Sequence, residues 1–248
     1  MNSHARLVAM TALVLALGGC AATQTMIAKK DLDVQARTST AIFVDPVPKE
    51  RRTIYVDVKS GVMEFDRRRF KQFVVEQFTV ANDNGYRVVD NPDQAQFLMV
   101  VYVLNLEKAS PTAAQVALNQ GYQGGAIAAG AIAGAAVSHT WAGAGVGGLV
   151  GGAAELISGA AVKDVTYMLV SDVQIQEKAP KGVLVRKDTR IDTKVSDAGA
   201  ARQTSSEVSM RKEYRTRIVT TANKANLELP EAEELMFKKT AYAMAGFF

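Results

Sequence analysis

Apolar and polar residues alternate along several short segments of the chain, a pattern that predicts strands. In 53–59, Ile54, Val56 and Val58 alternate with more polar neighbours, as expected of a strand with one buried face. Four further segments have the composition of strands: 86–89, 96–106, 165–176 and 214–221. The segment 96–106 is almost continuously apolar, which indicates a central strand covered on both faces.

Two other segments have the apolar spacing of helices. In 64–81, Phe70, Val74 and Phe78 recur at intervals of four and predict an amphipathic helix. The tail from Pro230 is also predicted to be helical, because proline suits the first turn and acidic residues follow it. A stretch rich in Ser, Ala, Gly and Thr, 196–209, is predicted to be a loop. Together these elements predict an α+β fold, a mostly antiparallel sheet with helices on one face.

The segment between Lys108 and Glu155 differs from the rest of the chain because none of its 46 residues is charged. Twelve of the chain's 19 glycines lie within 121–159. In water each interior glycine would destabilise a helix by roughly 1 kcal/mol relative to alanine. In a bilayer the backbone groups must pair internally, so helix is favoured. We therefore predict a membrane-inserted helical hairpin over 109–162; a flexible or buried hairpin in a soluble core is the alternative.

Small residues recur at a spacing of four in this insertion, which is typical of closely packed membrane helices. The glycines predicted to form the packing faces are Gly121, Gly125, Gly130, Gly134, Gly143, Gly147, Gly148, Gly151 and Gly152. Ser138, His139 and Thr140 interrupt the apolar run and are predicted to form an exposed tip. Tyr122 and Trp141 are placed as interfacial aromatics. A single glycine-faced hairpin would pack poorly against lipid, so we expect a homo-oligomer with hairpins side by side.

The first 20 residues have the pattern of a bacterial lipoprotein signal. The apolar run 7–16 is too short to span a bilayer but suits the central region of a signal peptide. It leads into Leu-Gly-Gly-Cys at 17–20, which predicts cleavage between Gly19 and Cys20 and lipidation of the Cys20 thiol. An ordinary signal peptide with a chance cysteine is the alternative, but Cys20 is the only cysteine of the chain. Ala21 favours the outer membrane, since an aspartate there favours inner-membrane retention.

These features divide the chain into five predicted segments. They are a signal peptide (1–19), a lipidated N-terminus and tether (20–41), the first part of an α+β periplasmic domain (42–108), the hairpin (109–162) and the second part of the domain (163–248).

Composition and motifs give no indication of an enzyme, a metal or a cofactor. After cleavage, His139 is the only histidine, and no cluster of ligands or nucleophilic triad surrounds it in the sequence. Residues 143–148 match a dinucleotide-binding spacing but lack the preceding strand that this motif requires. Glu233 and Glu234 could be paired catalytic carboxylates, but an acidic first helical turn explains them. The net charge is +4, and the basic run 67–69 has no interleaved aromatics, which argues against nucleic-acid binding.

Several longer stretches resemble the TraT family of complement-resistance and surface-exclusion lipoproteins. The resemblance runs through 17–20, 27–34 (IAKKDLDV), 85–89, 92–93, 118–124 (LNQGYQG), 165–176 (VTYMLVSDVQIQ) and 214–227 (YRTRIVTTANKANL). The last two stretches are the most specific, because they are long, polar and not imposed by a membrane-like composition.

The resemblance implies an outer-membrane lipoprotein that forms a ring-like homo-oligomer, limits redundant conjugative transfer and reduces complement killing. The partners implied are membrane lipid, further copies of the chain, and donor-cell mating surface components or complement proteins. Ser138, His139 and Thr140 would be the local candidates for exclusion specificity. Two other functions stay open: an envelope export pore or structural lipoprotein without an exclusion role, and, less favoured, a periplasmic enzyme.

Overall fold

The computed structural model describes residues 29–79, 85–120, 155–156, 163–195 and 199–248. Three helices lie within these ranges: α1 (Arg67–Thr79), α2 (Pro111–Gln120) and α3 (Leu229–Ala245). The strands are β1 (Asp33–Thr38), β2 (Thr53–Ser60), β3 (Arg87–Val88), β4 (Phe97–Ala109), β5 (Glu155–Leu156), β6 (Lys163–Lys178), β7 (Val185–Val195), β8 (Gly199–Ser209) and β9 (Arg211–Ala225).

Seven of these strands form one mixed sheet in the order β1-β9-β6-β4-β2-β3, with β5 beside the start of β6. The neighbours β2 and β4 are parallel, and α1 lies in the connection between them. Parallel neighbours need such a crossover, whereas β6 and β9 can be antiparallel through the β7–β8 hairpin. Antiparallel pairs join β1, β9, β6 and β4, so the predicted α+β class is confirmed.

The main core lies between the sheet and the pair α1 and α3. Phe70, Val74 and Phe78 are the buried apolar residues of α1, which explains their helical spacing in the sequence. From α3, Met236 and Phe237 are fully buried in the same cluster. The predicted helices therefore form and bury the expected faces.

The two predicted helices, α1 and α3, share one face of the sheet as expected, whereas α2, at the start of the segment predicted as a membrane hairpin, covers the opposite face. Its residues Ala114 and Leu118 pack in a second apolar cluster with Met168, Val170 and Val219. Leu169, between two of these strand residues, belongs to the main core instead. A consecutive apolar run in a strand is the signature of two covered faces, and the run 168–170 of β6 has this pattern as well as 96–106.

The predicted loop at 196–209 is also wrong, since Gly199–Ser209 is strand β8 and pairs antiparallel with β7. These two strands form a separate ribbon whose described side chains are mostly exposed. Because few side chains are buried among the described residues of this ribbon, it needs no hydrophobic alternation there, and its Ser- and Thr-rich sequence resembled a loop. In the segment predicted as a tether, Asp33–Thr38 forms β1 and pairs with β9 along the edge of the sheet.

Candidate functional site at the root of the glycine-rich insertion

One end of the sheet brings together Lys29, the first described residue, and the residues of β6 that directly follow the insertion. The Nζ of Lys29 donates a 2.6 Å hydrogen bond to Asn223 Oδ1 and lies 3.1 Å from Asp164 Oδ2. Asp164 is the second residue of β6, directly after Lys163. The backbone carbonyl of Lys29 accepts a 3.0 Å bond from the amide of Ala225. The N-terminal segment and the return of the insertion therefore reach the domain side by side.

Asp164 is held by an arrangement that compensates for its partial burial. Its side chain is only 14% exposed, so its charge needs both a counter-ion and hydrogen bonds. Lys29 supplies the counter-ion, and Asn223 Nδ2 donates a 2.7 Å bond to the carboxylate. The same amide lies 2.8 Å from Thr166 Oγ1 and 3.2 Å from the carbonyl of Val165. This network joins β6, β9 and the start of the described chain.

Asn226 closes the same end of the sheet after β9. Its φ of 54° is in the left-handed region, which asparagine tolerates better than most residues. The backbone amide of Asn226 donates to the backbone carbonyl of Lys163 at 2.7 Å, and the side-chain Oδ1 of Asn226 accepts from the backbone amide of Lys163 at 2.9 Å. Asn226 therefore fixes the first residue of β6 and turns the chain toward α3.

Two substitutions of Asn226 separate the contribution of its side-chain hydrogen bond from that of its left-handed backbone. Asn226→Gly removes the side-chain acceptor but keeps a left-handed backbone accessible, so we expect a loss of about 0.5–1.5 kcal/mol in unfolding free energy. Asn226→Ala also strains the backbone and should cost roughly 1 kcal/mol more. Urea unfolding of both variants measures the difference; a glycine variant less stable than the alanine variant would contradict the backbone role.

The other side of the insertion leaves the domain from α2. Ser110 caps this helix, since its Oγ accepts from the amide of Ala113 at 3.1 Å and its carbonyl accepts from Ala114 at 2.9 Å. Pro111 occupies the first turn, where a missing N–H has no cost. The small residues Ala114 and Ala117 allow the helix to approach β6 and β9 closely. The first ten residues of the uncharged segment after Ser110 are therefore packed on the domain.

Most of the site residues predicted from the sequence lie outside the described residues. These are Gly19, Cys20, the nine glycines predicted to form packing faces, Tyr122, Trp141 and the tip Ser138, His139 and Thr140. None of the helices in the described ranges is long and apolar enough to cross a membrane. Among the same residues, no group of three potential metal ligands comes together.

Glu233 and Glu234 join α3 to α1 rather than facing one another across a cleft. Arg69 lies 3.6 Å from a carboxylate oxygen of each. Burial raises the pKa of Glu233, Arg69 lowers it and Asp66 raises it further, with burial the largest of the three effects. The pair is thus explained by helix packing.

The raised pKa of Glu233 predicts a pH dependence of stability. The folded protein holds this proton at a higher pH than the unfolded chain, so stability should fall as pH rises from the ordinary carboxyl pKa through the raised one. Glu233→Gln should flatten that part of the profile. Arg69→Met should steepen it, since the group that lowers this pKa is lost. Thermal unfolding between pH 4 and 7 provides the measurement, and parallel profiles for all three proteins would contradict the assignment.

Comparison with known proteins identifies the family. A sequence model described as "Enterobacterial TraT complement resistance protein" matches residues 31–248. The chain belongs to the TraT family. A relative from Escherichia coli, named TraT complement resistance protein, is 33% identical over an alignment of 262 positions, which covers 99% of both chains. A relative of the same name from strain K12 is 32% identical over 248 residues, covering 97% of this chain and 96% of its own.

The TraT match extends over both sides of the insertion and confirms the resemblance inferred from 165–176 and 214–227. Those stretches form most of β6 and β9, the two strands that Asn223 and Asp164 connect at the root. The names of the TraT relatives describe resistance to complement and not a catalytic reaction.

Proposed function

We propose that the protein is an outer-membrane lipoprotein that assembles into a ring-like homo-oligomer and acts in complement resistance and conjugative surface exclusion. Family membership supports the first activity, because the relatives are named for complement resistance. The second activity, the location and the ring follow from the sequence-based expectations for the TraT family. The main domain is proposed to lie in the periplasm.

The structural observation that supports this proposal is the meeting of Lys29 and Asp164 at one end of the sheet. Cys20 is nine residues before Lys29, and an extended segment of that length spans at most about 30 Å. A lipid on Cys20 and a hairpin that returns at Lys163 could therefore engage the same bilayer. Each acyl CH₂ buried in lipid contributes roughly 0.8 kcal/mol, so the two attachments would reinforce one another.

Deletion of the gene tests the function directly. We expect lower survival of the strain in serum and a higher frequency of conjugative transfer into it, both restored by the wild-type gene. No change in either measurement would contradict the proposal. A change in envelope export without a change in these two would favour the alternative of an export or structural lipoprotein.

The oligomer is tested through the glycines proposed to pack between copies. Gly147→Leu and Gly151→Leu together place bulky side chains where close helix approach is expected. We expect the mass of the detergent-solubilised assembly, measured by light scattering, to fall. Val146→Leu is the matched control, because it adds bulk in the same segment without altering a spaced glycine. An unchanged mass in the double variant would contradict glycine-mediated assembly.

A further inference from the structure

A pocket of about 180 Å³ with both polar and apolar walls lies between β1, β9 and the C-terminal end of α2. Its walls include Arg37, Thr38 and Ser39 from β1 and its continuation, Asn119 from α2, and Arg217 from β9. Two of its eight lining residues are arginines and none is acidic. One water needs only roughly 10–15 Å³ of such space, so the pocket has room for a small polyatomic anion.

Arg217 is fixed in the wall of this pocket. Its Nε and Nη2 donate to the two carboxylate oxygens of Asp172, on the adjacent strand β6, at 2.5 and 2.9 Å. Ser39 Oγ accepts a 3.1 Å bond from the Arg217 amide, and the Ser39 amide donates to the Arg217 carbonyl at 2.8 Å. Asp172 offsets one of the two positive charges, while the backbone of the pocket is held in place.

Arg37 supplies a charge that no part of the described structure neutralises. It lies on edge strand β1, in register with Val219, whose side chain faces α2. The residue is exposed, and no side-chain hydrogen bond or ion pair joins its guanidinium to another described residue. A guanidinium offers a planar fork of donors that matches the oxygens of a phosphate group. The C-terminal end of α2 also borders the pocket, and its partial negative charge favours the Arg37 cation but opposes an anion, so a bound anion must gain more from Arg37 than it loses to the helix end.

We propose that this pocket binds a phosphate group, with Arg37 as the principal contact, beside Arg217, which Asp172 holds in the pocket wall. The phosphate could belong to a lipid headgroup or be free in solution. Asn119 is two residues before Gly121, so the pocket lies where the uncharged insertion leaves the domain. The lipid source rests on the proposed membrane attachment, whereas binding of free phosphate does not.

The test uses the full chain in a non-ionic detergent and titration calorimetry at constant ionic strength. The probes are inorganic phosphate and dihexanoyl phosphatidylglycerol. Arg37→Gln should weaken the binding of the preferred probe about tenfold or more, because a charge-assisted bond is lost. Arg37→Lys should retain part of the affinity. Arg51→Gln is the matched control, since Arg51 is exposed and does not line the pocket.

Each outcome decides the proposal. Tighter binding of phosphatidylglycerol than of phosphate, lost in Arg37→Gln, supports the site and assigns it to a headgroup. Equal binding of both, lost in the same variant, supports a site for free phosphate. Binding of neither probe would overturn the proposal, and so would an equal loss in Arg37→Gln and Arg51→Gln, which would indicate diffuse electrostatic attraction. Normal serum survival in the gene deletion would contradict the proposed function but not the site.

Discussion

Phe237→Ala is expected to lower the free energy of unfolding by about 3–5 kcal/mol, the range for removing a buried phenylalanine side chain. Phe237 has 0% exposure and lies at the centre of an aromatic cluster between α1 and α3. Its ring centroid is 5.0 Å from that of Phe70, 5.3 Å from Phe65 and 6.1 Å from Phe73. The variant therefore loses buried area, leaves a cavity and removes two edge-to-face ring contacts and one tilted one.

Tyr242→Ala is the matched control on the same helix. It also removes an aromatic ring from α3, but this side chain is 71% exposed. Helix propensity favours alanine slightly, so we expect a change within about 0.5 kcal/mol. Urea unfolding followed by circular dichroism, with both variants in the same detergent, gives the comparison. Similar losses for the two variants would mean that α3 does not cover the sheet as described.

Most strands of the main sheet could be predicted from the sequence because they bury at least one face. The exceptions are β1, in the segment predicted as a tether, and the two-residue β5, in the segment predicted as the hairpin. The segments 53–59, 165–176 and 214–221 each lie within an observed strand, and 96–106 does so except for its first residue. The observed strands extend beyond these segments by one to several residues. Hydrophobic patterns end where burial ends, whereas hydrogen bonding to a neighbouring strand continues. The centre of a strand is therefore easier to predict than its ends.

The β7–β8 ribbon and helix α2 could not be predicted from hydrophobic periodicity, and the reason differs between them. The ribbon of β7 and β8 has few buried side chains among its described residues, so it has no periodicity to detect. In α2, the faces are made by alanines, and an alanine-rich stretch beside many glycines resembles the rest of the insertion. The indication that an element covers this face of the sheet lies in strand β6, which α2 packs against, in the consecutive apolar residues Met168, Leu169 and Val170.

The root of the insertion was equally hidden, because its residues are polar and distant in sequence. Lys29, Asp164 and Asn223 are brought together only by the antiparallel pairing of β6 with β9. A register of that kind follows from the whole sheet and not from a local motif. What the structure adds to the sequence is the contact between Lys29, the first described residue, and Asp164, the second residue of β6 after the insertion.

Cys20→Ser is expected to abolish lipidation and outer-membrane delivery, since a hydroxyl replaces the thiol that receives the lipid. Labelled palmitate should no longer be incorporated, and serum survival should fall to the level of the gene deletion. Ala21→Asp is the matched variant: it should still be lipidated but should fractionate with the inner membrane. Palmitate incorporation into Cys20→Ser would contradict the assignment of the lipobox.

The same variant separates the two proposed attachments. Without acyl chains, a protein whose hairpin inserts in the bilayer should still sediment with membranes and resist extraction by high salt, because hydrophobic burial is not screened by ions. A protein held only by lipid should be soluble. Because Lys29 and Asp164 meet at the root, we expect the anchor and the hairpin to act on one membrane. A fully soluble Cys20→Ser protein would contradict insertion of the hairpin but not the assignment of a lipid anchor to the wild-type protein.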